Sequence, residues 1–154
     1  LIMRVNQALD IDELEEITDA IQPAVYISRH VSRYVHDVVK ATRNPSTYGI
    51  KLEGVENIDA MVNPKMNAAG VSPRGAAKWR RIAKVAAFRR GSDYVSADDA
   101  IRVAQATLAH RIFINTGMSM NRNRSVLAHD FLKAILDRVA VPRKEVMSDA
   151  RRVA

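Results

Sequence analysis

Residues 70–99 read GVSPRGAAKWRRIAKVAAFRRGSDYVSADD, and this stretch decides the fold. Ser72-Pro73 marks a helix start, because serine caps free N–H groups and proline is favoured at the first helical position. The helix should run to Arg90 and stop at Gly91, a residue type that accepts the left-handed cap conformation. Ala76, Trp79, Ile82, Ala83 and Ala86 give its apolar face. Arg74, Lys78, Arg80, Arg81 and Lys84 occupy the other side, with no acidic residue between them. Tyr94-Val95 is a short extended link. Ser96 then caps a further helix, with Asp98 and Asp99 in the first turn where the helix dipole favours anions. Its inner face is Ala97, Ala100, Ile101, Ala104 and Leu108, and it ends near His110-Arg111.

Working toward the N-terminus, Asn44 to Val71 has no sustained period. Pro45, Gly49, Gly54, Pro64 and Gly70 make it a long loop with one short turn of structure at most. Before it, Ser28 caps a helix running to about Arg43, with Val31, Tyr34, Val35, Val38 and Thr42 inward and Arg33, Asp37 and Lys40 away from them. A first helix covers Asp12 to Gln22. Leu14, Ile17 and Ile21 form its inner face, acidic residues crowd its start, and Pro23 breaks it. Working toward the C-terminus, Ile112-Phe113-Ile114 is a small strand-like run, followed by a polar segment from Thr116 to Asn123. Ser125 starts a last helix with Ala128, Phe131, Leu132, Ile135 and Val139 inward. The end, Arg143 to Ala154, is charged and weakly periodic. The expected fold is all-α, a small bundle of about five helices with a long loop after the second.

Composition agrees with one domain. The chain has 154 residues, 47% of them hydrophobic, enough for a packed core. Aromatics are only 5%, so the core must be aliphatic and closely packed. The formal net charge of +7 favours anionic partners or, more blandly, solubility. With no cysteine, thiolate metal sites, disulfides and cysteine nucleophiles are excluded. His30, His36, His110 and His129 have no compact ligand spacing, so no metal site is expected. No apolar run approaches the ~18 residues of a membrane span, and no signal peptide is evident, which points to a cytoplasmic location. The first residue is Leu1 rather than Met, so a piece of a longer protein is one expectation.

No catalytic constellation stands out. A phosphate-binding loop needs a glycine-rich segment ending in Gly-Lys-Ser/Thr, and Gly-x-Ser-x-Gly would mark a nucleophile elbow; neither occurs. Asp98 and Asp99 point roughly 100° apart on a helix and do not converge as a carboxylate pair. The informative position is Arg74, in the first turn of its helix beside unpaired N–H groups. A helix start attracts anions, and a guanidinium fork fits phosphate oxygens. Lys78 and Arg81 follow on the same face one and two turns later. The plainer reading is a set of solvated charges.

A series of phrases adds to this. They are Val38-Val39-Lys40-Ala41-Thr42-Arg43-Asn44-Pro45, Gly70-Val71-Ser72-Pro73-Arg74-Gly75, Gly91-Ser92-Asp93-Tyr94-Val95-Ser96-Ala97-Asp98-Asp99, Leu108-Ala109-His110-Arg111-Ile112 and Val139-Ala140-Val141-Pro142. In order and spacing they resemble the C-terminal helical lid of MoxR-type AAA+ ATPases, a branch that includes relatives of magnesium chelatase. The resemblance covers residues 11–142, leaving 1–10 as a linker from an N-terminal ATPase core and 143–154 as a tail. It implies that Arg74 is the sensor-2 arginine, which contacts the phosphates of ATP bound in the core, with Lys78 as a second candidate contact. It implies ATP and Mg2+ as cofactors of the whole ATPase, and the core and neighbouring subunits of a ring as partners in chaperone-like remodelling. It also implies a von Willebrand-type partner protein. His110 and Arg111 match a phrase read as packing and helix-end hydrogen bonding. Val71 and Gly75 depart from the alanines usual there, and the loop is longer than usual. Walker A, Walker B and arginine-finger segments are absent from these residues, so the chain alone should not hydrolyse ATP. The alternative is a helical nucleic-acid-binding module using the basic helix 74–90 together with Arg122 and Arg124. A third reading is a protein-interaction module that meets an acidic surface.

Overall fold

Each α-helix described in this computed structural model starts at a short polar residue whose side chain accepts a hydrogen bond from a first-turn N–H. These caps are Asp10, Ser28, Asn57, Ser72, Ser96 and Asn123. The structure describes residues 10–66, 69–115 and 123–142. The elements are α1 (Ile11–Ala24), β1 (Tyr26–Ile27), α2 (Arg29–Ala41), α3 (Ile58–Met61), α4 (Pro73–Arg89), β2 (Tyr94–Val95), α5 (Ala97–Leu108) and α6 (Arg124–Arg138). Five long helices and the single-turn α3 make the expected helical bundle. The proposed linker (residues 1–9 of it), the tail 143–154 and the polar segment 116–122 with Arg122 lie outside the described residues.

Two strands organise the helices. β1 and β2 pair in parallel, Tyr26 opposite Tyr94 and Ile27 opposite Val95. Each strand runs straight into a serine cap, Ser28 or Ser96, so the pairing sets α2 and α5 off from adjacent points. α4 packs most extensively on α5. Between them lies Trp79, fully buried, its indole N–H donating to the Ala100 carbonyl at 2.8 Å. Phe131, Leu132 and Ile135 of α6 and Val35 and Val38 of α2 close the same core.

Several expectations change. The proline at position 23 does not end α1; it sits in the last turn, and Val25 N–H still bonds the Ile21 carbonyl at 3.1 Å. Pro23 removes one donor, which a final turn tolerates. The expected inner face of α1 is mostly outside. Leu14 is 49% and Ile17 43% exposed, and only Ile21 is buried in the helix. Periodicity identifies an apolar stripe but not whether anything in the same domain covers it. α6 is capped by Asn123 rather than Ser125, with Asn123 Oδ1 accepting from Ser125 N–H at 2.8 Å. In α4 the buried positions include Ala87, whereas Ala86 and Ile82 are half-buried. α2 stops at Ala41, with Thr42 as its buried cap residue.

The long loop has more structure than its lack of period suggested. It holds 3-10 turns at Pro45–Tyr48 and Pro64–Met66 in addition to α3. Ile50, Ile58, Met61, Val62 and Val71 are buried in the common core. Asn115 N–H reaches the Met61 carbonyl at 2.9 Å, and Ala69 and Phe113 exchange two backbone bonds of 3.0 Å. Ile112 and Ile114 are buried while Phe113 is 57% exposed, the alternation of an extended segment.

Candidate functional site

The start of α4 is built by local chemistry. Ser72 is extended (φ −72°, ψ 161°), its Oγ accepts from Gly75 N–H at 3.1 Å, and Pro73 takes the first helical position. Arg74 follows in the first turn, exposed, and Lys78 is exposed one turn on. α1 and α5 carry acids in their first turns, Asp12 and Glu13 in one and Asp98 and Asp99 in the other; α4 carries none. Its positive dipole end is left beside a cation, an arrangement that an incoming anion would relieve.

The other cations of α4 have structural work. Arg81 pairs with Asp19 of α1 at 2.8 Å, both side chains more than half exposed. Lys84 donates to the Gln22 carbonyl, and these two bonds tie α1 along α4. Arg90 grips both carboxylate oxygens of the buried Asp99, at 3.0 and 2.7 Å, and lies over the Tyr94 ring at 5.6 Å. Asp99 also closes a capping box with Ser96, accepting from its N–H at 2.9 Å and its hydroxyl at 2.7 Å. Asp99 is therefore a capping residue that has in addition a bidentate partner in Arg90, and Asp98 lies exposed in the same first turn. Arg74, Lys78, Arg80 and Arg89 remain exposed along α4.

The turn before Arg74 is clamped from α2. Val71 N–H donates to Thr42 Oγ1 at 2.9 Å, and the Thr42 hydroxyl donates in turn to the Val39 carbonyl at 2.7 Å. The Val71 carbonyl accepts from Arg43 Nε at 3.1 Å and Nη2 at 2.9 Å. Gly70 permits this contact. A Cβ there would stand 2.4 Å from the Thr42 carbonyl oxygen and 2.6 Å from Thr42 Oγ1. The two sequence phrases Val38 to Pro45 and Gly70 to Gly75 thus meet in one structural unit. Neither periodicity nor charge singled out Thr42 and Arg43 as parts of the site; Thr42 was read only as part of the inner face of its helix and Arg43 only as part of a phrase.

Arg111 closes the other side. A Cβ on Gly75 would lie 3.7 Å from Arg111 Cδ and 3.0 Å from Val71 Cγ1. The arginine stem packs against the start of α4, and its Nε is buried without a hydrogen-bond partner among the described residues. His110 is exposed beside it in the 3-10 turn Ala109–Arg111. Among the described residues, no group of three or more His, Asp or Glu side chains is arranged to hold a metal ion. No described helix is long and apolar enough to cross a membrane.

Residues 60–130 match the AAA lid domain family, a span that contains the Ser72 cap, all of α4 with Arg74, α5 and the turn of Arg111. The chain is 31% identical over 134 residues to Protein MoxR of Methylorubrum extorquens, covering 87% of this chain and 37% of that protein. It is 32% identical over 129 residues to Protein MoxR of Paracoccus denitrificans, covering 83% of this chain and 36% of that protein. A crystal structure of a candidate ATPase from Cytophaga hutchinsonii superposes with a TM-score of 0.65 at 29% identity, over 86% of this chain and 36% of that one. The chain thus spans little more than a third of the length of each relative.

Proposed function

The chain belongs with the AAA lid domains of MoxR-type ATPases, and from that premise we propose that it places Arg74 against the phosphates of ATP held by an AAA+ core. The observation that carries this reading is Arg74 itself, exposed at a serine-capped, proline-led helix start with no acid in its first turn. The Arg74 guanidinium, with its own backbone N–H beside it, stabilises γ-phosphate charge and couples the nucleotide's state to the position of the lid. Lys78 supplies a second cation one turn further along the helix. The groups that hold Mg2+ and polarise the attacking water belong, on this reading, to the core rather than to the lid.

The same reading makes neighbouring subunits of a ring the partners of the lid surface, in a cytoplasmic, chaperone-like remodelling complex assisted by a von Willebrand-type protein. The exposed apolar row Ile11, Leu14 and Ile17 with its acidic neighbours supports a protein partner there. The nucleic-acid reading has less to draw on, since Arg81, Lys84 and Arg90 are already engaged within the domain. Binding to duplex and single-stranded DNA across a salt series tests it, and a steep salt slope with useful affinity would revive it.

Arg74→Ala in the AAA+ polypeptide that carries this domain tests the leading reading. Steady-state ATP turnover should fall by about 100-fold, the scale of losing a preorganised charge contact in the transition state, while the circular dichroism spectrum is unchanged. Turnover within twofold of wild type would reject the assignment.

A further inference from the structure

The described surface offers an uncovered apolar row on α1, a cation cluster at the start of α4, and the polar joint between α2 and α4. The joint stands out, because its Thr42 half is buried, it holds Val71 from both peptide groups, and it adjoins the candidate site. We propose that Thr42 and Arg43 are positioning residues for Arg74, a step that rests on the reading of Arg74 given above. Arg74 is three residues beyond Val71, with a capped serine and a ring-locked proline between them. Once the Val71 peptide groups are fixed, little freedom remains in the path to the first turn. Thr42 fixes the N–H and Arg43 fixes the C=O, so one residue is held from both sides by adjacent residues at the end of α2. Thr42 is fully buried and anchored to the α2 backbone through the Val39 carbonyl. The grip is therefore on the helix as a whole, and a shift of α2 moves the start of α4 with it.

Arg43 also has a chemical reason to be here. It directly follows the cap residue of α2, where the negative end of the helix dipole favours a cation. As a fork that closes on one carbonyl, with a rigid planar geometry that lysine lacks, its place is accounted for. It contributes by holding the turn rather than by touching the ligand.

Hydrogen exchange on this chain tests the positioning. The amides of Gly75 and Ala76, which bond Ser72 Oγ and the Ser72 carbonyl, report on the cap. Arg43→Gln and Thr42→Val should each speed their exchange about tenfold, the scale of one lost buried or charge-assisted hydrogen bond. Ala104 in α5 should be unchanged, and Arg43→Lys and Thr42→Ser should recover part of the protection. Unchanged exchange at Gly75 and Ala76 in both disruptive variants overturns the proposal. So does an equal rise in every helix that the conservative variants do not reverse, since that reports a general loss of stability. The link to Arg74 is read as ATP turnover of the AAA+ polypeptide. Arg43→Gln should lower kcat about tenfold beside wild-type Arg74 and have no further effect beside Arg74→Ala. Equal losses in the two backgrounds overturn the link. If Arg74→Ala alone left turnover unchanged, the sensor reading would fall, and the exchange result would still decide whether Thr42 and Arg43 position the turn.

Discussion

At the scale of single residues, the departures at positions 71 and 75 explain one another. A methyl on Gly75 would press on Val71 Cγ1 at 3.0 Å, so a larger residue at 71 and no side chain at 75 fill the same space. Alanine normally favours a helix over glycine by up to about 1 kcal/mol. Here Gly75→Ala should give no such gain, Val71→Ala alone should cost about 2 kcal/mol through the cavity it leaves, and the double variant should recover about 1 kcal/mol of the summed effects. Urea unfolding of the four proteins measures this, and simple additivity would show that the two sites do not share the space. Asp99 gives a pH prediction. Burial alone would push its carboxyl up, but the Arg90 fork and the Ser96 N–H and hydroxyl outweigh it and hold it below the ordinary carboxylate range. A carboxyl lowered on folding adds stability above its unfolded-state value, and that stability is lost as pH falls through its folded-state value. Stability should therefore drop on the acid side in wild type, and Asp99→Asn should flatten that drop while costing about 2 kcal/mol at neutral pH. An acid limb as steep in Asp99→Asn as in wild type would assign the loss to other groups.

At the scale of elements, the caps act independently of the rest of the molecule. Ser72→Ala removes the acceptor for Gly75 N–H and should cost about 1 kcal/mol, read from the urea midpoint, while leaving the far end of α4 at Arg90 and Gly91 undisturbed. A cap of this kind is legible from Ser72-Pro73 alone, because the donor and acceptor lie within a few residues. The faces of helices are less legible. α2 and α6 bury the stripes their periods predict, whereas α1 leaves most of its stripe in solvent. Leu14→Ser with Ile17→Ser should accordingly change the stability of this chain by less than about 0.5 kcal/mol, as thermal melts will show. A loss several times larger would mean that α1 has cover its exposure does not reveal. The segment between α2 and α4 failed in the opposite sense. Its turns are too short to show a period, yet Met61 and Val62 are as buried as any helix residue, since packing rewards apolar contact regardless of regularity.

At the scale of the whole molecule, the single tryptophan sits where α4 and α5 meet, and the core runs from it to α2, α6 and the long loop without a break. A core continuous in this way should unfold in one step. Trp79 fluorescence and far-ultraviolet circular dichroism should then give coincident urea transitions, and separated midpoints would show that the loop or α1 opens by itself. The sequence by itself determined the helical class, the starts at Ser28, Ser72 and Ser96, and the stop at Gly91. These are local matters of caps, turns and periods, settled by chemistry within one or two helical turns. Only the tertiary structure decided which cations of α4 are engaged within the domain, that Asp99 is held by Arg90, that α1 shows most of its apolar face outward, and that Thr42 and Arg43 bond the residue before the Ser72 cap. Those depend on which distant backbone groups end up within a few ångströms of each other. A carbonyl at Val71 has no signature in the sequence, and it acquires its meaning only when the chain brings Arg43 to it.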